Sequence, residues 1–232
     1  MLPVGKLFRM SQKDNADWLG VVQGNTHQRR GWFQGSRLLG VEVLPRGSAL
    51  DWSGEVWSLS VAGGVPGRRI VTADIPLRDL YPGLGVDRAL GLWAALQIWG
   101  SPVLVVDAGT ALTFTAGVGE RFVGGAILPG WRSQARALHQ LTAALPEISL
   151  GGSLPPRWAT DTATAIDSGI TYGLRATIED FAQAWRERYP TATIVITGGD
   201  AERLGTDLGI VQPDLLLQGI SLLRAQGIAD LR

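Results

Sequence analysis

The chain has 232 residues, of which 45% are hydrophobic and 18% charged, and its 21 basic and 21 acidic side chains balance. That size and balance suit one compact unit or two small lobes and give none of the basic excess that nucleic acid attracts. The chain has no cysteine and two histidines, His27 and His139, and lysine occurs only at Lys6 and Lys13, the other 19 basic residues being arginine. Disulfides, thiolate metal sites, cysteine nucleophiles, HExxH pairs and histidine cages are thereby excluded, as are the P-loop lysine and the strand lysine of protein kinases. Any phosphate must be handled by backbone amides, arginine and metal ions.

Residues 1–17 show no continuous apolar run and no small-residue cleavage site, so they read as an extension before the fold of a cytoplasmic protein. Trp18–Val22 is a short apolar strand ending in Gln23-Gly24-Asn25-Thr26. Strand-like segments follow at His27–Phe33 and Arg37–Val43, joined by a turn at Gly35-Ser36. Residues 45–82 are rich in proline and glycine, with short strands expected at Val56–Val61 and Arg69–Ala73. Asp87–Ile98 has helical spacing of Leu90, Trp93 and Ala94 and stops at Gly100.

Val103–Val106 is an unbroken aliphatic run, suited to a strand covered on both faces, and it ends in Asp107-Ala108-Gly109-Thr110. The stretch Ala89–Val106 is interrupted by Gln97 and by Gly100-Ser101-Pro102, which argues against a membrane span. Strands at Leu112–Gly117 and Arg121–Gly124 come next, then helices at Trp131–Leu145 and Thr162–Tyr189, a β-branched strand at Thr193–Ile196 and a last helix at Asp214–Gln226. The order strand, glycine elbow, hairpin occurs twice, with Gly24 and Gly109 85 residues apart. The expectation is an α/β protein of two related lobes facing a common cleft, residues 18–100 and 101–232.

Several short segments could carry chemistry. Asp107 at the end of a buried strand, followed by Gly-Thr, offers one anionic ligand beside bare amides, which suits a cation and a close phosphate; alone, it is equally an ordinary turn aspartate. Gly85-Val86-Asp87-Arg88 opens a helix, so Asp87 is either an N-terminal cap or a proton acceptor beside an anion-binding arginine. Gly124-Gly125-Ala126-Ile127-Leu128-Pro129-Gly130 lacks dinucleotide-fold spacing, and Thr197-Gly198-Gly199-Asp200 lets a nucleotide lie against the backbone; either is also compatible with a plain turn. Asp161-Thr162 is a natural helix cap that also presents a hydroxyl. The nine tryptophans are scattered and read as packing residues.

In order, GNT at Gly24–Thr26, GVDR at Gly85–Arg88, DAGTALTF at Asp107–Phe114, GGAILPG at Gly124–Gly130, Asp161-Thr162 and TGGD at Thr197–Asp200 resemble the type III pantothenate kinase family. LYPGLGVDRAL and TAALPEISL are similar to its cyanobacterial branch. The resemblance implies two ribonuclease H-like lobes of the acetate-and-sugar-kinase/Hsc70/actin fold and ATP-dependent phosphorylation of pantothenate. It implies Asp87 as general base, Tyr81, Gly85, Val86, Arg88 and Thr162 around pantothenate, and Gly24, Asn25, Thr26, Thr110, Gly198 and Gly199 around ATP. It further implies Mg²⁺ with ATP, a monovalent cation (potassium or ammonium) at Asp107, and a homodimer, with no nucleic-acid or membrane partner. The family's first elbow carries an aspartate two residues before the GNT glycine, where this chain has Val22. That departure keeps open a relative that binds nucleotide or pantothenate without turnover, beside a third reading as a sugar or acetate kinase or phosphatase of the same fold.

Overall fold

A computed structural model describes residues 15–61, 63–149, 151 and 153–227. Contacts divide the chain into two units: residues up to Ala94 together with those from Leu215 form the first, and Ala95–Asp214 form the second. Each is built around a five-stranded mixed sheet.

In the first unit, β1 (Trp18–Gln23), β2 (His27–Gln34) and β3 (Arg37–Pro45) form an antiparallel meander. β4 (Glu55–Ser60) runs parallel to β1, and β5 (Arg68–Arg69) parallel to β4, giving the order β3-β2-β1-β4-β5. Every residue of β1 is buried, as an aliphatic strand flanked on both edges and covered on both faces must be. The β2–β3 turn uses Gly35 at φ +55, whose carbonyl accepts from Trp18 Nε1 and whose N–H donates to Asp17.

Gly20 and Gly31 lie opposite one another on β1 and β2. A Cβ at Gly31 would stand 2.9 Å from Leu38 and 3.0 Å from Leu217, and one at Gly20 would stand 3.3 Å from Leu217. This cross-strand pair of glycines opens a seat on the sheet for the fully buried Leu217. Leu217 belongs to the last helix (Leu215–Ala225), which therefore packs with the first unit although the sequence places it in a lobe spanning 101–232. Arg224 on the same helix binds Glu55 of β4, 2.7 Å between Nη2 and Oε2.

The second unit repeats the plan. β6 (Val103–Ala108), β7 (Ala111–Val118) and β8 (Arg121–Pro129) are the meander, β9 (Thr193–Thr197) runs parallel to β6, and β10 (Ile210–Val211) parallel to β9. Its order, β10-β9-β6-β7-β8, is that of the first sheet with each strand replaced by its counterpart. The core gathers Val106, Leu112, Phe114, Trp131, Leu174, Ile178 and Ile196.

Helix α1 (Val86–Trp99) starts directly after Gly85, one residue longer at each end than the expected Asp87–Ile98, and passes from the first unit's residues to the second's. Helix α2 (Trp131–Leu141) ends four residues before the expected Leu145, its cap Thr142 already extended. Helix α3 (Thr162–Arg188) ends just before Pro190 with Ile166, Ile170, Leu174, Ile178 and Trp185 buried. Two short elements differ from expectation: residues 69–73 supply the end of β5 and the start of a 3₁₀ turn at Thr72–Asp74, and Gly124–Pro129 is strand. β8 alternates exposed and half-buried residues, so its glycine-rich composition marks an outer strand with small side chains. Helix α4 (Ala201–Gly205) follows TGGD, and the last helix is α5. Among the described residues no helix is long and apolar enough to cross a membrane.

Candidate active site

The first unit carries two clusters. At the β1–β2 elbow, Gly24 N–H donates to His27 O (2.9 Å), and Arg46 N–H donates to Thr26 O (3.1 Å). Val22, two residues earlier, is buried between Arg29 of β2 and Leu59 of β4 and offers no oxygen. Gln23 is also buried, and its amide is engaged: Oε1 accepts from Gln28 Nε2 (3.0 Å) and Gly47 N–H (3.3 Å). Gln28 in turn accepts from Arg30 Nε (2.7 Å), while Arg30 Nη2 donates to the carbonyls of Ser48 and Ala49. Burial holds the Arg30 pKa below the ordinary guanidinium value, the effect desolvation has on a cation. The side chains of this elbow thus offer a neutral amide ladder ending in one buried arginine and no carboxylate, a donor chemistry that does not by itself fit Mg²⁺.

The second cluster lies at the start of α1. Asp87 Oδ1 accepts from Arg88 N–H (2.9 Å), and a Cβ at Gly85 would fall 2.5 Å from the same oxygen. Glycine at 85 is what lets the carboxylate fold back over the helix start. Arg88 is 9% exposed, and its Nη1 donates to Tyr81 Oη (2.9 Å). Tyr81, Gly85, Val86, Asp87 and Arg88 are therefore brought together: one carboxylate, one buried guanidinium and one phenol within a single turn and its lead-in.

In the second unit the β6–β7 elbow closes through Gly109 N–H to Ala111 O (3.0 Å). Asp107 lies opposite Thr197 on the parallel strand β9, so the DAGT and TGGD elbows leave the same edge of the sheet side by side. Gly198 has φ +94, and a Cβ there would stand 2.4 Å from Asp107 Oδ1 and 2.5 Å from Ala108 O. Only glycine permits that approach and that conformation. Thr110 O accepts from Gly130 N–H (3.0 Å) and Ser133 Oγ (2.6 Å), so the start of α2 is tied to the DAGT elbow. Asp107, Thr110, Gly198 and Gly199 form one constellation, with the Asp107 carboxylate and adjacent carbonyls fit for a hard cation. Among the described residues no cluster of three acidic or histidine side chains could hold a metal alone.

Thr162 opens α3 in the same unit. Asp161 caps that helix by accepting from Thr164 N–H (2.9 Å), and this backbone hydrogen bond holds its carboxyl below the usual range. An open pocket of about 510 Å³ is lined by Leu145, Thr160, Asp161, Thr162 and Ile166. The loop leading to it is pinned by groups the sequence did not single out. Arg203 Nη2 binds both oxygens of Asp167 (2.6 and 2.8 Å), and its Nη1 donates to the carbonyls of Gly151 and Ser153. Tyr172 Oη donates to Pro155 O, and Ser168 Oγ to Arg157 O. Those links join segments far apart in sequence, and only the Asp/Arg composition of the helices hinted at them.

Two mixed sheets of identical strand order, each with a glycine elbow after its first strand, define the acetate-and-sugar-kinase/Hsc70/actin class. At the level of fold, the chain is similar to a Baf-family protein from Campylobacter jejuni (20% identity, 90% of this chain and 98% of that one, TM-score 0.65). A Sinorhizobium meliloti protein assigned as a 2-dehydro-3-deoxygalactonokinase is more distant (13% identity, 90% and 96% covered, TM-score 0.53). The family model for type III pantothenate kinase matches residues 70–184. A type III pantothenate kinase of Synechococcus sp. (strain JA-2-3B'a(2-13)) is 45% identical over 93% of this chain and 89% of its own length. The chain belongs to the type III pantothenate kinase family.

Proposed function

We propose that this protein transfers the γ-phosphoryl group of ATP to the primary hydroxyl of pantothenate, giving 4′-phosphopantothenate in the first step of coenzyme A biosynthesis. The observation that carries this reading is the Tyr81–Arg88–Asp87 cluster in a chain of this family. Arg88 and Tyr81 hold the polar and anionic groups of pantothenate, with Gly85 and Val86 giving backbone contact, and the family resemblance adds the Thr162 hydroxyl. Asp87 Oδ1 is occupied by Arg88 N–H, while Oδ2 accepts no hydrogen bond among the described residues and takes the hydroxyl proton. As that proton leaves, the hydroxyl oxygen bonds to the γ-phosphorus, the bond to the bridging oxygen breaks, and ADP departs with the electron pair.

On the same reading Gly24, Asn25, Thr26 and Thr110 contact the phosphates, and Gly198 and Gly199 lie against the adenosine. Asp107 and its neighbouring carbonyls would hold potassium or ammonium, which would supply positive charge where negative phosphate meets the carboxylate. Magnesium carried by ATP would supply charge neutralisation on the phosphates. On the same reading the protein works in the cytoplasm as a homodimer.

An ATP-consumption assay with pantothenate, run in potassium and again in sodium, tests the reading. Potassium-stimulated, pantothenate-dependent turnover is expected, and its absence overturns it. A second reading, a binding protein without turnover, is favoured by the oxygen-free Val22; binding of both substrates with no product is its signature.

A further inference from the structure

Both lysines of this chain lie outside the described residues, and among the described residues arginine is the side chain suited to meet phosphate charge. Most arginines of the second unit are already committed. Arg203 is buried on Asp167, Arg175 binds Leu204 O and Asp207, and Arg186 binds Leu208 O. Arg132 differs. It sits two residues after Gly130, on the helix turn tied to Thr110 O, and its Nη1 donates to Asp200 Oδ1 at 2.8 Å. Asp200 closes the TGGD elbow, and its own N–H donates to Ala108 O (2.9 Å) beside Asp107. One side chain thus bridges the two glycine elbows.

The pair is asymmetric. The Asp200 side chain is 2% exposed, whereas that of Arg132 is 55% exposed. Asp200 Oδ2 is buried and accepts no hydrogen bond among the described residues, and the ion pair the carboxylate makes there is with Arg132. A buried carboxylate tolerates loss of its paired cation poorly, which fixes one edge of the guanidinium in place. The other edge faces solvent beside the elbows, in the fork geometry that matches phosphate oxygens.

We propose that Arg132 binds the polyphosphate chain of the nucleotide, and that Asp200 is the positioning residue that aims it. The proposal rests on the nucleotide-using reading above and is independent of pantothenate. Its test is calorimetric titration of the whole protein with a non-hydrolysable ATP analogue, with inorganic tripolyphosphate and with adenosine. Arg132→Gln should weaken the analogue and tripolyphosphate roughly 10- to 100-fold and leave adenosine unchanged. Asp200→Ala should also weaken both polyphosphate probes, and Asp200→Asn, which keeps an acceptor for Nη1, should restore much of the loss. Circular dichroism of each variant separates lost binding from lost folding. An Arg132→Gln protein that stays folded and binds all three probes as wild type overturns the proposal alone. Wild-type protein that binds neither polyphosphate probe overturns the nucleotide reading as well.

Discussion

Asp87 and Arg88 are adjacent in sequence yet do different work, because one points its carboxylate back over Gly85 and the other turns its guanidinium to Tyr81. Their substitutions should separate in kinetics. Asp87→Asn keeps the shape and the acceptor for Arg88 N–H but removes the proposed base, so kcat should fall by about 10²–10⁴ with the KM for pantothenate little changed. Arg88→Gln should chiefly raise that KM, by roughly 10-fold or more, since it removes a charge-assisted contact made in the ground state. Gly198→Ala combines a left-handed φ of +94 with a Cβ 2.4 Å from Asp107 Oδ1. A steep loss of potassium response, measured as activity against potassium concentration, is expected even where the variant folds. These residues were legible in sequence because each motif is contiguous: DAGT, GVDR and TGGD each announce themselves within four residues. Arg132, Asp167 and Arg203 were not, since their partners lie 68, 36 and 36 residues away and only folding pairs them.

Among the elements, the last helix is the most informative. Its place with the first unit depends on a pair of glycines, Gly20 and Gly31, that only strand register brings opposite each other. Helical periodicity identified the helix but could not say which sheet it covers, so the expected lobe boundary failed there. Leu217→Ala should lower stability by about 2–5 kcal/mol in denaturant unfolding, the range for emptying a fully buried leucine site. The Glu55–Arg224 pair makes a smaller, pH-dependent contribution. The Arg224 hydrogen bond is the largest cause of the lowered Glu55 pKa. A carboxylate depressed in the folded state stabilises above its unfolded pKa, and that stabilisation fades as pH falls through the folded value. Because both side chains are partly exposed, solvent screening limits it to roughly 1 kcal/mol or less. Thermal melts of Glu55→Gln should therefore sit slightly below wild type near neutral pH and converge with it in acid.

At the scale of the whole molecule, the two sheets share one strand order, and each places a glycine elbow after its first strand. The repeated pattern around Gly24 and Gly109 foretold this duplication. The paired sequence signals could not show how differently the two elbows are furnished. One is a neutral amide ladder ending in Arg30, and the other holds Asp107 with Asp200 and Arg132 beside it. Phosphorylation of pantothenate with Asp87 as the proposed base is open to direct measurement. Phosphorus NMR of reactions containing ATP, Mg²⁺, potassium and pantothenate reads it directly, using wild type and Asp87→Asn side by side. A phosphomonoester resonance of 4′-phosphopantothenate is expected to grow with ADP in wild type and to be nearly absent in the variant. Equal product from both proteins would contradict the role of Asp87, and no phosphomonoester from wild type would contradict the kinase itself.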